Sequence, residues 1–534
     1  MRAGSGWALL LVVLAPSAAH SQIGPSHWRA DDRVVITDFQ RVTALARASD
    51  RLFAATDGGL VVRNEAFDRW ELPITTEDGY PSSRVVALAW DRRDATLWLS
   101  TVDSRLIQIE PRNRRFLDEI RLDEPIRTIV PSHDDPSALL VQQGSRWFTF
   151  DPFSRRQARI SPSDVDRAIA ASFELRERRA LLTSARFEAG RAFIASRGTA
   201  RYQVTDVMPS AQLGQFWIAS YGGFLFRYDA FSGRSEPVEY GLIGEGAAAV
   251  LADTGGIWFA PGEGFERYAI SRADRDLTTW RTWDAESTGL ADRNVPADPV
   301  HALLRVGADL WAGGERGLYR FDGDAWHREG GGQLGRGTRV LSLSADPQGL
   351  GGVWAGTDRG LYRLPGPGMS ADAPRLGAER ITALATHGEL LWVGTDRGLT
   401  AFGPDAGQRE GVAVAGRPPG AVWSMTAHGG RLYVGFDREV WWLEDDSWFR
   451  ADVLGVLGAP VTAMDARDRV VWIGSRDGLI VWDTTSDEQR RYSFSAGDLP
   501  VGLRGETGVA SVSVVGPDVA WLATPAGAVR VDLH

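Results

Sequence analysis

The chain has 534 residues, of which 43% are hydrophobic, 24% charged and 10% aromatic, a profile typical of several globular domains or of one repeat array. It contains no cysteine and no lysine, which excludes disulfides, zinc ribbons, thiol nucleophiles, a Walker-type phosphate site and Schiff-base chemistry. Because its formal net charge is −10, we expect no general affinity for nucleic acid.

Residues 1–21 predict a secretory leader. Arg2 precedes an apolar run from Trp7 to Leu14, and a proline and several small residues follow. This order of charge, short apolar core and small-residue exit is typical of a signal peptide, and the run is too short to span a bilayer. No second apolar stretch of spanning length follows in the sequence. We therefore expect an exported protein, periplasmic or secreted, without a membrane span.

One sequence unit recurs eleven times after the leader. It reads apolar, Trp, apolar, Gly or Ala, Thr or Ser, two polar residues, Gly and apolar. The clearest copies are VWAGTDRGLYRL from Val353 and LWVGTDRGLTAF from Leu391, and weaker copies begin at Leu97 and Leu139. From Trp217 onward the units lie about 40 to 50 residues apart, a period that predicts an all-β fold, a β-propeller of about 11 four-stranded blades. A β-sandwich does not repeat such a unit at a long fixed period.

The unit has the properties of a buried strand followed by a tight turn. The stretch from Leu391 to Gly394 is apolar on both faces, as in a strand between two layers. Trp392 and Gly394 share a face because strand side chains alternate, so we expect the glycine to leave room for the tryptophan of a neighbouring sheet. In the Thr-Asp-Arg-Gly turn, Gly398 should supply a positive φ.

Two further patterns complete each blade. An innermost strand such as ITALATHGE precedes the Trp strand, and an outer strand such as DAWHRE follows it. Residues 25–31 resemble an outer strand with no blade in front, whereas the last blade stops after its third strand. We therefore expect this N-terminal strand to complete and close the last blade. The sequence leaves open whether the blades form one large ring or two rings, one inserted within the other.

The domain boundaries follow from the same patterns. Residues 22–240 are predicted to form the N-terminal blades, interrupted at 161–200 by a partly helical insertion. Within it, Ser161 and Pro162 mark a helix start, and Val165, Ile169 and Phe173 fall on one face. The hairpin-like stretch from Ala192 lies too close to the next Trp unit for a whole blade. Residues 241–534 are predicted to form a C-terminal run of seven blades.

The repeated units, above all VWAGTDRGLYRL and LWVGTDRGLTAF, resemble the two-component regulator propeller repeat. The resemblance spans nearly all of residues 25–534 and is strongest from 310 to 480. In that family the propellers form the periplasmic, ligand-binding sensor part of hybrid histidine kinases, and many members sense polysaccharide fragments. This sequence has no kinase module, no membrane span and no room for the family's usual tail domain. The resemblance therefore implies a free-standing, sensor-type propeller.

Four consecutive units carry an acidic residue followed by an arginine in the turn after the Trp strand. The pairs are Glu315-Arg316, Asp358-Arg359, Asp396-Arg397 and Asp437-Arg438. In a propeller these turns line one end of the disc. In one interpretation each acid caps its own turn and each arginine pairs with a neighbouring carboxylate. In the other, the guanidinium groups form a ring that binds carboxylate or sulfate groups of an acidic sugar.

No catalytic or metal-binding motif is evident. The eight histidines show no metal-ligand spacing, and neither Gly-x-Ser-x-Gly nor His-Glu-x-x-His occurs. We therefore expect no cofactor and no metal, and a non-catalytic propeller that binds a carbohydrate or another small molecule. Its link to signalling would be a separate, membrane-bound protein. The alternatives are a protein-docking scaffold with an exposed aromatic patch at Trp441-Trp442, and a propeller lyase.

The leader gives a first testable prediction. N-terminal sequencing of the exported protein should start at His20 or Gln22, because cleavage after Ala19 or after Ser21 fits the small-residue exit. Replacing Leu10 and Leu11 with arginine should abolish export, since it interrupts the apolar core of the leader. A mature exported protein that still begins at Met1 would contradict the prediction.

Overall fold

The computed structural model describes part of the chain. It covers residues 32–533 apart from 133–134, 136–137, 172, 185, 188–190, 196–199, 245, 263–266, 285–293, 331–333, 335–336, 348–351, 365–374, 377–378, 404–415, 452–458 and 503. The predicted leader at 1–21 and the predicted outer strand at 25–31 therefore lie outside the described residues.

Eleven antiparallel sheets make up the described chain, and we number them blade 1 to blade 11 in chain order. Nine sheets have four strands, blade 4 has five, and the described part of blade 8 has three. In each sheet consecutive strands are neighbours, so every blade is a meander whose first full strand lies innermost. The prediction of an all-β propeller with about 11 four-stranded repeats is confirmed.

Blades 1 to 4 form the first half of the fold together with two helices. The helices, α1 (Pro162–Ala171) and α2 (Phe173–Thr183), lie between blades 3 and 4, and single 3-10 turns occur at Thr76–Asp78 and Pro111–Asn113. The strands are Val42–Arg47, Arg51–Thr56, Gly59–Asn64 and Arg69–Trp70 in blade 1; Val85–Asp91, Thr96–Thr101, Arg105–Glu110 and Arg115–Arg121 in blade 2; Ile126–Pro131, Leu139–Gln143, Arg146–Asp151 and Arg156–Arg159 in blade 3; Phe193–Ala195, Arg201–Pro209, Gln215–Tyr221, Leu225–Asp229 and Arg234–Val238 in blade 4.

Blades 5 to 11 follow without a described helix between them. Their strands are Ala247–Asp253, Gly256–Pro261, Ala269–Ala273 and Trp280–Asp284 in blade 5; Val300–Val306, Asp309–Gly314, Gly317–Phe321 and Trp326–Glu329 in blade 6; Val340–Ala345, Val353–Thr357, Gly360–Leu364 and Arg375–Leu376 in blade 7; Ile381–His387, Leu390–Thr395 and Gly398–Phe402 in blade 8; Ser424–His428, Arg431–Gly435, Val440–Glu444 and Ser447–Arg450 in blade 9; Val461–Arg467, Val470–Ser475, Gly478–Asp483 and Gln489–Ser493 in blade 10; Ser511–Gly516, Val519–Thr524, Gly527–Asp532 and Arg33–Ile36 in blade 11.

The innermost strands pack in two separate series. Those of blades 5 to 11 each contact the next, and the inner strand of blade 11 returns to contact that of blade 5. Those of blades 1, 2 and 3 likewise pack in order, and the inner strand of blade 4 packs against that of blade 1. We name these sets the seven-blade circuit and the four-blade circuit. Of the two arrangements that the sequence leaves open, this packing favours two rings.

The helical insertion lies in the four-blade circuit, between blades 3 and 4. Helix α2 packs against the inner strand of blade 4, where Arg178 forms an ion pair with the buried Asp206. Asp206 also accepts a hydrogen bond of 2.8 Å from the backbone N–H of Leu45 in blade 1. The hairpin-like stretch from Ala192 is part of blade 4, because Phe193–Ala195 pairs with the start of that blade's inner strand.

The outermost strand of blade 11 comes from the opposite end of the chain. Arg33–Ile36 pairs antiparallel with Gly527–Asp532, and Val35 lies opposite Val529. Gly527 has a φ of 132°, and a Cβ atom there would lie 2.2 Å from the carbonyl oxygen of Ile36. The pairing strand thus lies just after the predicted strand at 25–31. That this pairing closes the ring and stabilises it remains a prediction.

Neighbouring blades of the seven-blade circuit approach each other closely at the glycine that lies two residues after the central aromatic residue of the Trp strand. A Cβ atom at Gly394 would lie 2.5 Å from Cγ1 of Val422, at the entrance to the next inner strand. The same contact recurs at four further blade junctions: Gly313 with Val340, Gly356 with Ile381, Gly435 with Val461, and Gly474 with Val509. The glycine therefore makes room for a β-branched residue, and the expectation that it faces the neighbouring tryptophan is wrong.

Two chain segments, 37–41 and 239–246, connect the two circuits. They lie side by side, with a parallel bridge between Asp38 and Leu242. Around them, one continuous apolar core includes buried residues from blades 1, 4, 5 and 11. The aromatic ring of Tyr240 lies 4.5 Å from that of Trp70 in blade 1 and 5.2 Å from that of Trp280 in blade 5. The junction is therefore a packed core rather than a flexible linker.

The glycine contact can be tested by substitution. Gly394→Ala should destabilise the fold by about 1 to 3 kcal/mol, because the added methyl group overpacks a buried contact with Val422. In a double-mutant cycle measured by denaturant unfolding, Val422→Ala should relieve part of this cost. Gly516→Ala is the matched control, since no heavy atom lies within 4 Å of a Cβ there. Equal effects of the two glycine substitutions would contradict the packing argument.

Candidate functional site

The meander topology places two kinds of loop at the same strand ends. The turn after the Trp strand and the connection into the next inner strand lie at one end of each blade. A cavity of about 890 Å³ lies against these loops in blades 5, 6, 7, 10 and 11. Asp57 and Thr75, from the corresponding loops of blade 1, and segment 37–41 also line it. We name it the junction cavity, because both circuits contribute to its wall.

Charged side chains of both signs line the junction cavity. They are Arg41, Arg339, Arg476 and Arg504, together with Asp38, Asp57, Glu315 and Glu506. Glu315 is engaged, since its carboxylate accepts a hydrogen bond of 2.7 Å from Nε of Arg339 and lies 2.8 Å from Nε2 of His301. Arg476 is exposed, and its side chain makes no hydrogen bond or ion pair within the described part of the chain. Its guanidinium group is therefore available to a ligand.

Asp38, a carboxyl group of the cavity wall, has a raised pKa. Burial raises its pKa from 3.8 to about 6, although the nearby cations Arg41 and Arg267 oppose the shift. Its Oδ1 atom accepts a hydrogen bond of 2.8 Å from the backbone N–H of Gln40. Asp38 lies in segment 37–41, one of the two segments that connect the circuits, so a change in its protonation changes the charge at this junction.

The predicted turns have the predicted shape, but a threonine caps them. Gly398 has a φ of 148°, which confirms the expectation that a glycine with positive φ ends the turn. Oγ1 of Thr395 accepts a hydrogen bond of 3.1 Å from the N–H of Arg397 and donates one of 3.1 Å to the carbonyl of Gly398. Thr357 has the same contacts in blade 7. The threonine hydroxyl thus caps the turn, a role that one interpretation of the sequence assigned to the neighbouring carboxylate.

The acidic members of the four turn pairs bind different partners. Besides Glu315, Asp358 accepts a hydrogen bond of 3.0 Å from the backbone N–H of Arg339, and Asp437 accepts one of 2.6 Å from Nε1 of Trp423. Each of these bonds ties a turn to the entrance of an inner strand. Asp396 is exposed.

The arginines of the turn pairs also differ in their surroundings. Arg397 donates to Glu379 at 3.0 Å, and Nε of Arg359 lies 3.9 Å from its neighbour Asp358. Arg316 and Arg438 are exposed. Among the eight predicted site residues, Glu315 lines the junction cavity and the other seven are not part of its wall. The guanidinium ring suggested by the sequence lies outside this cavity and stays a prediction.

Several residues of the cavity wall were not predicted from the sequence. Asp38 and Arg41 lie in a segment between repeats, where periodicity gives no signal. Arg476 had a signal, because Ser475-Arg476-Asp477-Gly478 occupies the same turn in blade 10 with the order of acid and arginine reversed. Comparing turns by position instead of by residue order would have included it.

Trp441 and Trp442, the candidate exposed patch, are half-buried, and the ring of Trp442 stacks on Phe449 at 5.3 Å. Within the described ranges, no group of three or more His, Asp or Glu side chains is placed to hold a metal ion. None of the helices described has the length and apolar character needed to cross a membrane.

Sheet topology and blade packing define a β-propeller fold whose eleven blades pack in two circuits. No family model and no curated protein matches the chain. Among solved structures, PorZ, described as an essential surface component of the type-IX secretion system of Porphyromonas gingivalis, aligns with a TM-score of 0.52 and 11% identity over 94% of this chain and 87% of PorZ. At this identity the likeness shows the fold alone.

Two further solved structures come from B. thetaiotaomicron and are described as extracellular domains of hybrid two-component systems. BT3049 aligns with a TM-score of 0.44 and 12% identity over 93% of this chain and 68% of its own. BT4673 aligns with a TM-score of 0.41 and 11% identity over 92% of this chain and 69% of its own.

The raised pKa of Asp38 predicts that the stability difference between the wild type and Asp38→Asn depends on pH. A carboxyl group whose folded pKa lies near 6, above its ordinary 3.8, stabilises the fold below about pH 4 and loses that contribution as the pH rises through 6. Asp38→Asn, which stays neutral, should therefore raise the melting temperature at about pH 8 and change it little near pH 4. Asp94→Asn, at an exposed turn, is the control. A pH-independent effect of Asp38→Asn would contradict the assignment.

Proposed function

We propose that the protein is an exported, non-catalytic binding propeller that holds a small acidic ligand, such as an acidic oligosaccharide, in the junction cavity. The observation that carries the proposal is the available guanidinium group of Arg476 in the wall of a cavity of about 890 Å³. A cavity of this size lies within the range typical of small-molecule sites.

The chemistry of the wall suits a sugar acid. A guanidinium group such as that of Arg476 or Arg41 binds a carboxylate or sulfate through two parallel hydrogen bonds. Carboxylates such as Glu506 accept hydrogen bonds from sugar hydroxyl groups. A wall with four arginines and four acidic residues therefore fits a ligand that carries both hydroxyl groups and negative charge.

The proposal also assigns a role to each of the two circuits. Residues 22–240, apart from the strand Arg33–Ile36 that belongs to blade 11, and residues 241–534 would act as two propeller units, and the ligand would contact both, since Asp57 and Arg476 belong to different circuits. Ligand binding would then stabilise one relative position of the two units. A separate membrane-bound protein would detect that state, as the resemblance to sensor propellers implies.

The proposal is tested by calorimetric titration with a galacturonic acid oligosaccharide and with a neutral oligosaccharide of the same length. Arg41→Gln combined with Arg476→Gln should weaken binding of the acidic sugar by about a hundredfold or more, because a hydrogen bond to a charged group contributes about 1.5 to 3 kcal/mol. Added salt should weaken the same binding. The neutral sugar should bind more weakly and without this salt dependence.

Arg359→Gln combined with Arg397→Gln is the matched comparison, since both arginines lie outside the cavity wall. This variant should bind like the wild type and lose little stability, because exposed ion pairs contribute about 0 to 1 kcal/mol. If it loses binding while the Arg41 and Arg476 variant keeps it, the ligand binds at the predicted turn ring. Equal affinities in all three proteins would exclude both sites.

A further inference from the structure

Large apolar side chains project from one set of turns in the four-blade circuit. Phe67, Phe153 and Phe231 occupy the turn between the third and fourth main strands of blades 1, 3 and 4, and they are 70%, 99% and 81% exposed. Leu213, in the adjoining turn of blade 4, is 89% exposed. Most of the surface of each side chain faces solvent, although the guanidinium group of Arg69 lies 5.2 Å over the ring of Phe67 and Phe231 lies against Gly214. Four such side chains at equivalent strand ends exceed the scattered single exposures normal for a protein surface.

The seven-blade circuit lacks this feature where its matching turns are described. In blade 5 the turn carries Leu277, which is buried. In blades 6, 9 and 10 the corresponding turns consist of small and polar residues, as in the run from Asp322 to Ala325. The exposed apolar turns are thus a property of one circuit and not of the repeat.

Hydrogen bonds and close packing join the turns of Phe67, Leu213 and Phe231. Glu65, a buried carboxylate in the turn of Phe67, accepts hydrogen bonds from Oγ of Ser210 at 2.8 Å, the N–H of Ala211 at 3.1 Å and Nε1 of Trp217 at 2.7 Å. This network joins the Phe67 turn of blade 1 to the Leu213 turn of blade 4. The ring of Phe231 lies against Gly214 in the same turn, where a Cβ atom would meet it at 2.2 Å. We name Phe67, Leu213 and Phe231, together with Phe153, the apolar tips.

Unpaired positive charge accompanies the apolar tips. Arg69, Arg155 and Arg234 follow the three phenylalanines by two or three residues, and their side chains make no hydrogen bond or ion pair among the residues described. The acids of these turns are engaged. Asp151 accepts hydrogen bonds from Ser154 within its turn, which lowers its pKa, and Asp68 is paired with Arg63. Hydrogen bonding leaves these carboxylates ionised, so the excess positive charge lies in the Phe153 turn, where the exposed Arg155 and Arg156 outnumber Asp151.

We infer that the apolar tips attach the protein to an anionic lipid surface. Separate convex side chains suit a fluid interface, which closes around each one, whereas a protein partner would need a matching socket for every tip. Flanking guanidinium groups bind lipid phosphates and add attraction to an anionic surface. Two signals, apolar insertion and positive charge, give the reversible attachment of a peripheral protein.

This surface and the junction cavity lie at opposite strand ends. The apolar tips lie in the turns that precede the second and fourth main strands of their blades. In blade 1 the loops at the cavity, which carry Asp57 and Thr75, follow the second and fourth strands and therefore lie at the opposite end. Attachment therefore leaves the cavity open to a ligand. The inference stands independently of the function proposed for that cavity.

The test is co-sedimentation of the full chain with vesicles of phosphatidylcholine, with or without phosphatidylglycerol. The wild type should bind the anionic vesicles and release at high salt. Leu213→Ser combined with Phe231→Ser should lower the vesicle partition coefficient by about tenfold or more, since both side chains lose their insertion. Arg155→Gln combined with Arg234→Gln should remove most of the preference for anionic vesicles. All four residues are exposed, so thermal unfolding should stay unchanged and report intact folding.

Phe449→Ser is the matched control, because Phe449 is 44% exposed but lies on the outer strand of blade 9 in the other circuit. It should bind vesicles like the wild type. The inference is overturned if the wild type does not bind anionic vesicles, or if the control loses binding as much as the tip variant. It is also overturned if sedimentation velocity shows a dimer that the tip variant abolishes, because the tips would then serve a second copy of the chain.

Discussion

Close approach of neighbouring sheets governs this fold. At five junctions a glycine in the Trp strand leaves space that a valine or isoleucine from the next blade fills. Because a β-branched side chain has few rotamers, each contact fixes the next blade's angle as well as its distance. Threonines strengthen the arrangement, as when Oγ1 of Thr462 donates to the carbonyl of Val509 at 2.6 Å. The loops at the blade ends, including Val509 in the cavity wall, are therefore positioned by blade packing, which is how a propeller preorganises a site.

The junction between the circuits extends the same principle by different means. Here no repeat supplies the contacts, and an aromatic cluster around Tyr240 takes the place of the glycine and valine pairs. Its core draws on blades that are far apart in sequence, such as blades 1 and 11. A cavity wall that includes Arg476 and Asp57 therefore depends on this cluster for its shape.

The features that recur in every blade could be predicted from the sequence, whereas the contacts between blades and at the junction of the two circuits could not. The eleven units, their strand order and the positive φ of Gly398 follow from local patterns that recur with the blade. The partner of Gly394 did not follow, because alternation along a strand shows which residues share a face but not what the facing sheet presents. Asp38 and Leu242 meet although about 200 residues separate them, and no period links such positions. The cavity residues at that junction were consequently missed.

The pairing of Arg33–Ile36 with Gly527–Asp532 sets an order on biosynthesis. The first strand that the structure describes finds its partner only when blade 11 has been made, after the whole four-blade circuit and six further blades. Until then the seven-blade circuit has an unfinished blade whose outer edge can accept a foreign strand. A chain that crosses a membrane from its N-terminus would thus complete this blade only after its C-terminus has crossed.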